Sequence, residues 1–429
     1  MRWRRRMQVS TSGRSGSGDR CHQRQQTGHN RVSSQRWSSP LTTDPQAATV
    51  AYIDSIGAEA LAKSAAYTIG SHWLLLWGLL IGIAVAWLII RSRLLDRVDT
   101  RLVRRGQNTR AFVVSAFYFA VAGILSLPWA MYRGWLRETS YGRSSQPFGD
   151  ALLQNLLGIA ITALLGGLFF MGVYALIRRA GKRWWVWSGA LAIGGISTVL
   201  LVSPVVIEPL FNDYKPVPAG PVRDALIGMA EEAGIPADRI FIYDGSRQSN
   251  NFTANVSGVG PYARIAISDI ALKGASLEEV RAVTAHEIGH YTLRHVWRSV
   301  LLLSLIAMVA FFVADRSYSW VAARMGSRAP LASPTSLPVV MVMVSFLFLL
   351  ALPVLNGFTR IGEVQADRYS LETARLPDAL ASALVKTAEY RYPRPSAMQE
   401  FLFYSHPSVE RRVRMAMDWK AANSVEPAK

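Results

Sequence analysis

Long apolar runs separated by short polar segments dominate the chain from residue 73 onward. A helix needs roughly 20 mainly apolar residues to cross a bilayer, and most of the runs approach or exceed that length. One such run would fit a buried core helix equally well, but six in one chain favour membrane spans. The pattern therefore predicts a mainly α-helical polytopic membrane protein. The predicted spans are Trp73–Ile90, Ala111–Met131, Leu152–Ile177, Trp184–Ile207, Ser299–Val313 and Leu337–Leu355.

The polar interval between the fourth and fifth runs predicts a small unit of helices and strands. Apolar residues recur at helical spacing over residues 221–233, which indicates an amphipathic helix. Ser276 and Glu279 have the spacing of a capping box, and we expect the helix that they begin to run on into the fifth span. The predicted extended segments before this helix are Ile240–Tyr243, Asn251–Gly260 and Arg264–Ser268.

Positive charge is concentrated in an N-terminal segment and beside the apolar runs. The formal net charge is +18, and residues 1–45 are rich in Arg, Ser, Gln and Gly. Such a segment cannot bury enough apolar surface to fold, so we predict a disordered basic tail, with an organellar transit peptide or a misassigned start as alternatives. Because basic residues are typical of loops that flank membrane helices, we expect membrane lipids and no nucleic acid as partners.

The candidate chemistry begins with three residues in one helical turn. Since Cys21 is the only cysteine, a transition metal would have to be held by histidines and carboxylates. His286, Glu287 and His290 match the pattern H-E-x-x-H. On a helix both imidazoles can reach one metal ion, while Glu287 is offset and can act as general base toward the attacking water. The pattern alone also fits surface histidines on an amphipathic helix.

Two carboxylates farther along the chain lie one helical turn apart. Glu363 would complete a His2Glu site for one zinc ion per chain, with an open position for water. Asp367 would accept the free N–H of a ligand imidazole, most simply that of His286, and fix the orientation of the ring. Glu363 alone would also fit a solvated position on a helix.

Two further histidines have less defined roles. His295 is offset from His290 around the helix, so we do not expect it to bind the metal; a contact with the second helix and exposure to solvent stay equally open. His406, or an arginine in the same segment, would stabilise the oxyanion of a tetrahedral intermediate or lie in a surface loop.

These motifs together resemble those of the integral-membrane zinc metalloproteases typified by the type-1 CAAX prenyl protease, including their bacterial relatives. The similarity extends over most of the chain beyond the basic tail and includes more than the metal motif. The matching segments are Ile207–Tyr214, Asp244–Arg247, Asn255–Gly260, His286–His295, Asn356–Asp367 with the pattern N-x-x-x-R-x-x-E-x-x-A-D, and His406-Pro407 with the later Arg412.

The resemblance implies a helical membrane barrel around a water-filled chamber, with a zincin-like domain that carries a small β-sheet. It implies that zinc is bound by His286, His290 and Glu363. It also implies that Glu287 is the general base and that Asp367 supports one of the zinc ligands. It places His406 and Arg412 near the scissile carbonyl. An edge strand would pair with the extended substrate, and the implied strand residues are Ala254, Asn255, Val256 and Ser257.

We therefore divide the chain into a disordered basic tail (1–45), a membrane domain with four spans (46–207) and a zinc metallopeptidase domain (208–429) with two further spans at 299–323 and 337–355. Eukaryotic members of the family have seven spans, and only six are recognisable here. The protein is expected in a bacterial inner membrane. Basic loops at residues 91–110 and 178–183 would lie in the cytoplasm and put the active site outside, whereas the resemblance implies a cytosolic active site; both orientations stay open.

The expected function is hydrolysis of peptide bonds in a peptide or protein substrate. Substrates would be C-terminal peptides of the CAAX type or membrane-protein clients of quality control. An intramembrane site-2-type protease would bury the metal motif in a span, but Glu278, Glu279 and Arg281 flank the motif here. A non-catalytic scaffold or clearing factor is the remaining alternative, and the sequence leaves the oligomeric state open.

Overall fold

The computed structural model describes residues 44–258 and 260–423, so almost all of the tail predicted for residues 1–45 lies outside it. Helices dominate the described part of the chain. In chain order they are α1 (Pro45–Asp54), α2 (Ala58–Ser92), α3 (Leu94–Arg101), α4 (Gln107–Met131), α5 (Arg137–Ser140), α6 (Phe148–Arg179), α7 (Trp184–Val202), α8 (Pro221–Glu232), α9 (Asp269–Gly274), α10 (Leu277–Thr292), α11 (His295–Arg324), α12 (Leu337–Ala374), α13 (Pro377–Lys386), α14 (Ala397–Phe403) and α15 (Val409–Asn423).

Six of the described helical segments are long and apolar enough to cross a membrane, which confirms the six predicted spans. All are longer than predicted, and the sixth continues past its apolar part to residue 374. Large apolar side chains on their outer faces, such as Trp77, Leu301 and Leu350, are more than half exposed, which suits contact with lipid. The six segments are Ala58–Ser92, Gln107–Ser140, Phe148–Arg179, Gly181–Leu210, His295–Arg324 and Pro334–Ala374.

The membrane helices pack closely where their side chains are small. A Cβ atom added to Gly167 of α6 would lie only 2.9 Å from the Ala116 Cβ of α4, so this glycine allows the two backbones to approach each other. Tyr118, Phe170 and Tyr174 fill the adjoining interior with aromatic rings. These contacts join α4 and α6 closely within the membrane part of the fold.

Four short strands form the sheet of the polar part. They are β1 (Tyr214–Pro216), β2 (Ile240–Tyr243), β3 (Ala254–Ser257) and β4 (Arg264–Ser268), in the order β1-β2-β4-β3. β2 and β4 are parallel, and the two outer pairs are antiparallel. The predicted strands are confirmed, whereas β1 was not predicted. Leu226, Ile265 and Ile288 belong to the apolar core that joins α8 and α10 to the sheet.

The expectation that the helix of the metal motif continues into the fifth span is wrong. The capping box is confirmed, because Glu279 N donates to Ser276 Oγ and Ser276 N donates to Glu279 Oε2. However, α10 ends at Thr292 and α11 begins at His295. Arg294 between them has a left-handed backbone conformation with φ of 56°, which interrupts the helix without glycine or proline. The break makes α10 and α11 separate helices.

The first helix packs with the last ones. Ile53 of α1 lies in a buried cluster with Leu380 of α13 and Val413 of α15. Tyr52 Oη donates to Asp378 Oδ1 at 3.0 Å. Although the sequence-based division at residue 46 assigned α1 to the membrane domain, its contacts are with the C-terminal helices.

Candidate active site and metal centre

α10 directs two imidazoles to one point. His286 and His290 are one helical turn apart, and their Nε2 atoms lie 3.1 Å from each other. His286 is buried, whereas His290 is partly exposed. Two lone-pair donors this close are expected to repel unless a proton or a cation lies between them. The arrangement therefore places both nitrogens toward a shared binding point.

α12 brings Glu363 to the same point. Its Oε2 atom lies 3.4 Å from His286 Nε2, and its Oε1 atom lies 3.4 Å from His290 Nε2. The two helices can approach because Gly289 faces Ala366, where an added Cβ would lie 3.2 Å from the Ala366 Cα. Ser370 Oγ also donates to the Ala282 carbonyl at 2.7 Å. Small residues thus bring the carboxylate to the two histidines.

The three side chains fit a metal ion. One ligand atom from each of His286, His290 and Glu363 can be chosen so that all lie within 4.8 Å of one another. Glu363 is only 5% exposed, and its Oε2 atom has no hydrogen-bond partner in the described part of the chain. A buried carboxylate oxygen without a donor is costly, and a bound cation would satisfy it.

Asp367 and Arg412 form a buried pair behind His286. Arg412 donates to both carboxylate oxygens, from Nε at 2.7 Å and from Nη2 at 2.6 Å. Asp367 Oδ1 lies 2.9 Å from His286 Nδ1, so His286 can present Nε2 to a metal. Burial lowers the pKa of His286, but the nearby carboxylates of Asp367 and Glu363 outweigh this effect and raise the pKa to about 10. Negative charge is therefore concentrated where a cation would bind.

His290 has its own supporting partner. His295 Nδ1 lies 2.9 Å from His290 Nδ1, and His295 Nε2 lies 2.9 Å from Gln365 Oε1. Of the two alternatives left open for His295, contact with the second helix is the one observed. If His290 offers Nε2 to a metal, its Nδ1–H donates to His295, and His295 donates in turn to Gln365. The break after α10 is what brings His295 behind His290.

His406 reaches the site from a loop held by α12. Its Nε2 atom lies 3.3 Å from Glu363 Oε1. Asn356 donates to the Leu402 carbonyl at 2.7 Å, and Arg360 donates to the Tyr404 carbonyl at 2.5 Å, which fixes the preceding helix end. Burial lowers the pKa of His406 to about 3, and the charge of Arg391 adds to the effect. His406 is therefore neutral at pH 7.

A cavity of about 240 Å³ lies beside the three ligand candidates. Glu287 lines it, and the Glu287 carboxylate makes no hydrogen bond or ion pair with the described residues. Burial raises the pKa of Glu287. Ala254 of β3 also lines this cavity, and the neighbouring Asn255 has a buried Oδ1 atom without a partner among the described residues. A carboxylate and an edge strand thus line the same cavity.

Comparison with known proteins identifies the family. A model described as peptidase family M48 matches residues 216–420. A second, described as CAAX prenyl protease N-terminal, five membrane helices, matches residues 44–213. The chain belongs to the M48 family of membrane metalloproteases. In the described part of residues 44–213, this M48 protease has four helices long enough to span a membrane.

Relatives of this M48 protease cover most of its length. It is 25% identical over 349 residues to the uncharacterized metalloprotease YhfN of Bacillus subtilis, which covers 78% of the chain and 81% of YhfN. It is 26% identical over 328 residues to the CAAX prenyl protease 1 homolog of Oryza sativa subsp. japonica, covering 72% of the chain and 73% of that protein. The crystal structure of S. mikatae Ste24p matches with a TM-score of 0.70 at 18% identity, covering 85% and 90% of the two chains.

These matches decide several of the sequence-based expectations. The resemblance, the protease class and the multi-pass membrane location are confirmed. The structural match confirms the helical barrel that encloses a chamber. A non-catalytic scaffold is not favoured. The site-2-type alternative also fails, because α10 is not one of the six spans.

Two residues of the M48 site were not predicted from the sequence. Gln365 is distinguished only by its contact with His295. No sequence motif marks a glutamine two residues after Glu363 as part of a site. Arg391 lines the cavity beside Glu287 and His406. It lies in none of the motifs that carry the resemblance, so no sequence signal separated it from the other arginines.

Proposed function

We propose that this M48 protease is a zinc endopeptidase that cleaves peptide segments bound between β3 and α10. Its substrates would be C-terminal peptides of the CAAX type or membrane-protein clients of quality control. The observation that carries the proposal is the convergence of His286, His290 and Glu363 on one point beside a cavity. Residues 46–207 would supply the membrane enclosure, and residues 208–429 would supply the catalytic groups.

Zinc is the metal that this donor set fits best. Two imidazole nitrogens and one carboxylate oxygen are a frequent ligand set of catalytic zinc, and they leave one tetrahedral position open. The far nitrogens of the two imidazoles lie 2.9 Å from Asp367 Oδ1 and from His295 Nδ1, and groups at these positions usually support metal-bound histidines. When bound, zinc supplies a Lewis acid that activates water and polarises the substrate carbonyl.

The protein's own groups would move the protons and hold the carbonyl oxygen. Glu287 takes a proton from the attacking water and passes it to the nitrogen of the leaving amine. His406 donates from Nε2 to the carbonyl oxygen as negative charge develops there. A proton on Nε2 requires Nδ1 to accept, and Ser405 Oγ lies 2.9 Å from Nδ1. Arg412 is held by Asp367 and adds positive charge near Glu363 without leaving its partner.

The substrate backbone would pair with β3. This strand forms one edge of the sheet, antiparallel to β4, and it lies beside α10. Ser268 N donates to the Thr253 carbonyl at 2.9 Å, so the alternation of an antiparallel ladder turns the N–H and C=O groups of Ala254 and Val256 toward the free edge. Strand addition would use these groups to hold an extended peptide next to the metal.

Val256→Pro is expected to lower kcat/KM for peptide cleavage about 2- to 10-fold, because it removes one outward N–H that would bind the substrate. Protein stability should change little, since this N–H does not bond to β4. Asn255→Pro is the matched control: it removes a ladder bond to Ala266 and should lower the melting temperature. Equal kinetics for Val256→Pro and wild type would argue against pairing at this edge.

Removal of the metal tests the proposed function directly. A chelator should abolish cleavage of a peptide library by the purified protein, and added Zn²⁺ should restore it. Glu363→Gln should lower the zinc content per chain, measured by mass spectrometry, together with the cleavage rate. Glu372→Gln, an exposed substitution on the same helix, serves as the control. Full zinc content and full activity in Glu363→Gln would contradict the proposed ligand set.

A further inference from the structure

Arg391 faces the catalytic cavity from a firmly held segment. It follows the short 3-10 helix Thr387–Glu389 and lines the cavity with Glu287 and His406. The next residue is fixed on both sides: Tyr392 N donates to Thr68 Oγ1 at 3.0 Å, and Tyr404 Oη donates to the Tyr392 carbonyl at 3.0 Å. The position of the Arg391 backbone is therefore set by α2 and by the loop that carries His406.

The guanidinium of Arg391 has no anionic partner among the described residues. It makes no hydrogen bond or ion pair with them, and its Cζ atom lies 6.0 Å from the centroid of the Tyr390 ring. The neighbouring arginines differ, because Arg412 is bound to Asp367 and Arg360 to backbone carbonyls. Burial lowers the pKa of Arg391, and yet the group stays cationic. A partly buried cation that the described residues leave unpaired is suited to an anion brought by a ligand.

The direction of the bound peptide identifies that anion. A peptide that pairs with β3 in antiparallel fashion runs from the Ser257 end toward the Ala254 end. Near Val256 and Ser257 an apolar groove of about 560 Å³ opens, lined in part by Leu200, Leu201 and Trp297. The Ala254 end opens into the cavity that contains Arg391. The C-terminal side of the peptide therefore points to the unpaired cation.

We propose that Arg391 is a specificity-determining residue that binds a carboxylate of the substrate, namely its C-terminal carboxylate. The inference rests on the proposed peptidase function and adds the residue of this chain that would distinguish a free C-terminus from a blocked one. A guanidinium binds a carboxylate through two parallel N–H donors, and such charge-assisted bonds are the strong ones. An acidic side chain at the same place has the same chemistry and is the competing source.

The experiment compares three peptides of one sequence, identified by library cleavage, with the zinc-loaded protein. One has a free C-terminus, one is a C-terminal amide, and one is the amide with an aspartate near its end. Wild type should cleave the free acid with a kcat/KM about 10- to 100-fold above that of the amide. Arg391→Gln should remove this preference by lowering kcat/KM for the free acid alone. Arg391→Lys should retain part of it.

Arg328→Gln is the matched control, since Arg328 is exposed in the loop between the last two spans. It should keep the wild-type preference. The proposal is overturned if wild type does not distinguish acid from amide, or if Arg391→Gln lowers kcat/KM equally for both. It is also overturned if Arg391 raises kcat/KM only for the aspartate peptide, because the anion that it binds is then a side chain.

Peptide binding separates this inference from the proposed function. Zinc-loaded Glu287→Gln should bind the free acid about 10- to 100-fold more tightly than the amide by calorimetry, and the added Arg391→Gln should equalise the two. Equal binding of both peptides to Glu287→Gln would overturn the role of Arg391 even in an active protease. If wild type cleaves none of the peptides, the peptidase proposal fails, and the binding ratio alone decides the role of Arg391.

Discussion

Replacement of Glu287 by glutamine is expected to abolish peptide cleavage while the metal content of the protein stays unchanged. Glutamine has nearly the same shape as glutamate but cannot accept a proton from water at neutral pH. General acid–base groups contribute about 100- to 10,000-fold to rate, and kcat should fall within this range. The Glu287 carboxylate makes no hydrogen bond or ion pair with the described residues, so its replacement should leave the surrounding structure in place.

The measurement pairs a peptide-cleavage rate with the amount of zinc per chain. Glu278→Gln, an exposed substitution in the first turn of the same helix, is the control and should behave like wild type. Retention of full activity in Glu287→Gln would exclude the role of general base. Loss of activity together with loss of zinc would instead mean that Glu287 supports the metal site.

The parts of the site that could be predicted are those set by local geometry. His286 and His290 share a helix face because residues four apart always do, and the capping box of Ser276 and Glu279 marks the start of that helix. The strands β2 and β4 are predictable for a similar reason, since short apolar runs flanked by turn residues favour extended backbone. The Glu-x-x-x-Asp spacing singled out Glu363 and the family pattern supported it, but no local rule sets its contact with the two histidines.

The parts that escaped prediction depend on contacts between distant segments. The break at Arg294 requires a left-handed arginine, and the sequence around it contains no glycine or proline to indicate it. Without the break, His295 would lie on another helix face from His290. The packing of α1 on α13 and α15 joins opposite ends of the described chain, so periodicity within α1 could not reveal it.

The roles of the arginines also depend on contacts between distant segments. Arg412 was expected near the scissile carbonyl, and the structure places it in the cavity wall but bound through two nitrogens to Asp367. No sequence motif includes Arg391, although its guanidinium lines the cavity without a carboxylate partner among the described residues. Sequence identifies a guanidinium, but only tertiary contacts show whether its charge is already paired.

Asp367→Asn is expected to destabilise the fold and to weaken zinc binding in the same variant. Asp367 is fully buried and accepts both hydrogen bonds of Arg412, so its neutralisation leaves a buried cation without its counter-charge. Breaking a buried ion pair from one side costs about 3–5 kcal/mol. Asp367 also lies 2.9 Å from His286 Nδ1, and loss of such a partner lowers metal affinity about 10- to 100-fold. Thermal unfolding in detergent and zinc titration measure the two effects separately.

The double variant Asp367→Asn with Arg412→Met distinguishes the two causes. Methionine removes the unpaired charge and fills similar space, so most of the lost stability should return, since apolar residues replace buried ion pairs at little cost. Zinc affinity should stay low, because His286 still lacks the carboxylate behind Nδ1. If the double variant regains zinc affinity as well, the weak binding of Asp367→Asn came from the damaged fold, and Asp367 does not orient the imidazole. If Asp367→Asn melts and binds zinc like wild type, the pair has neither role.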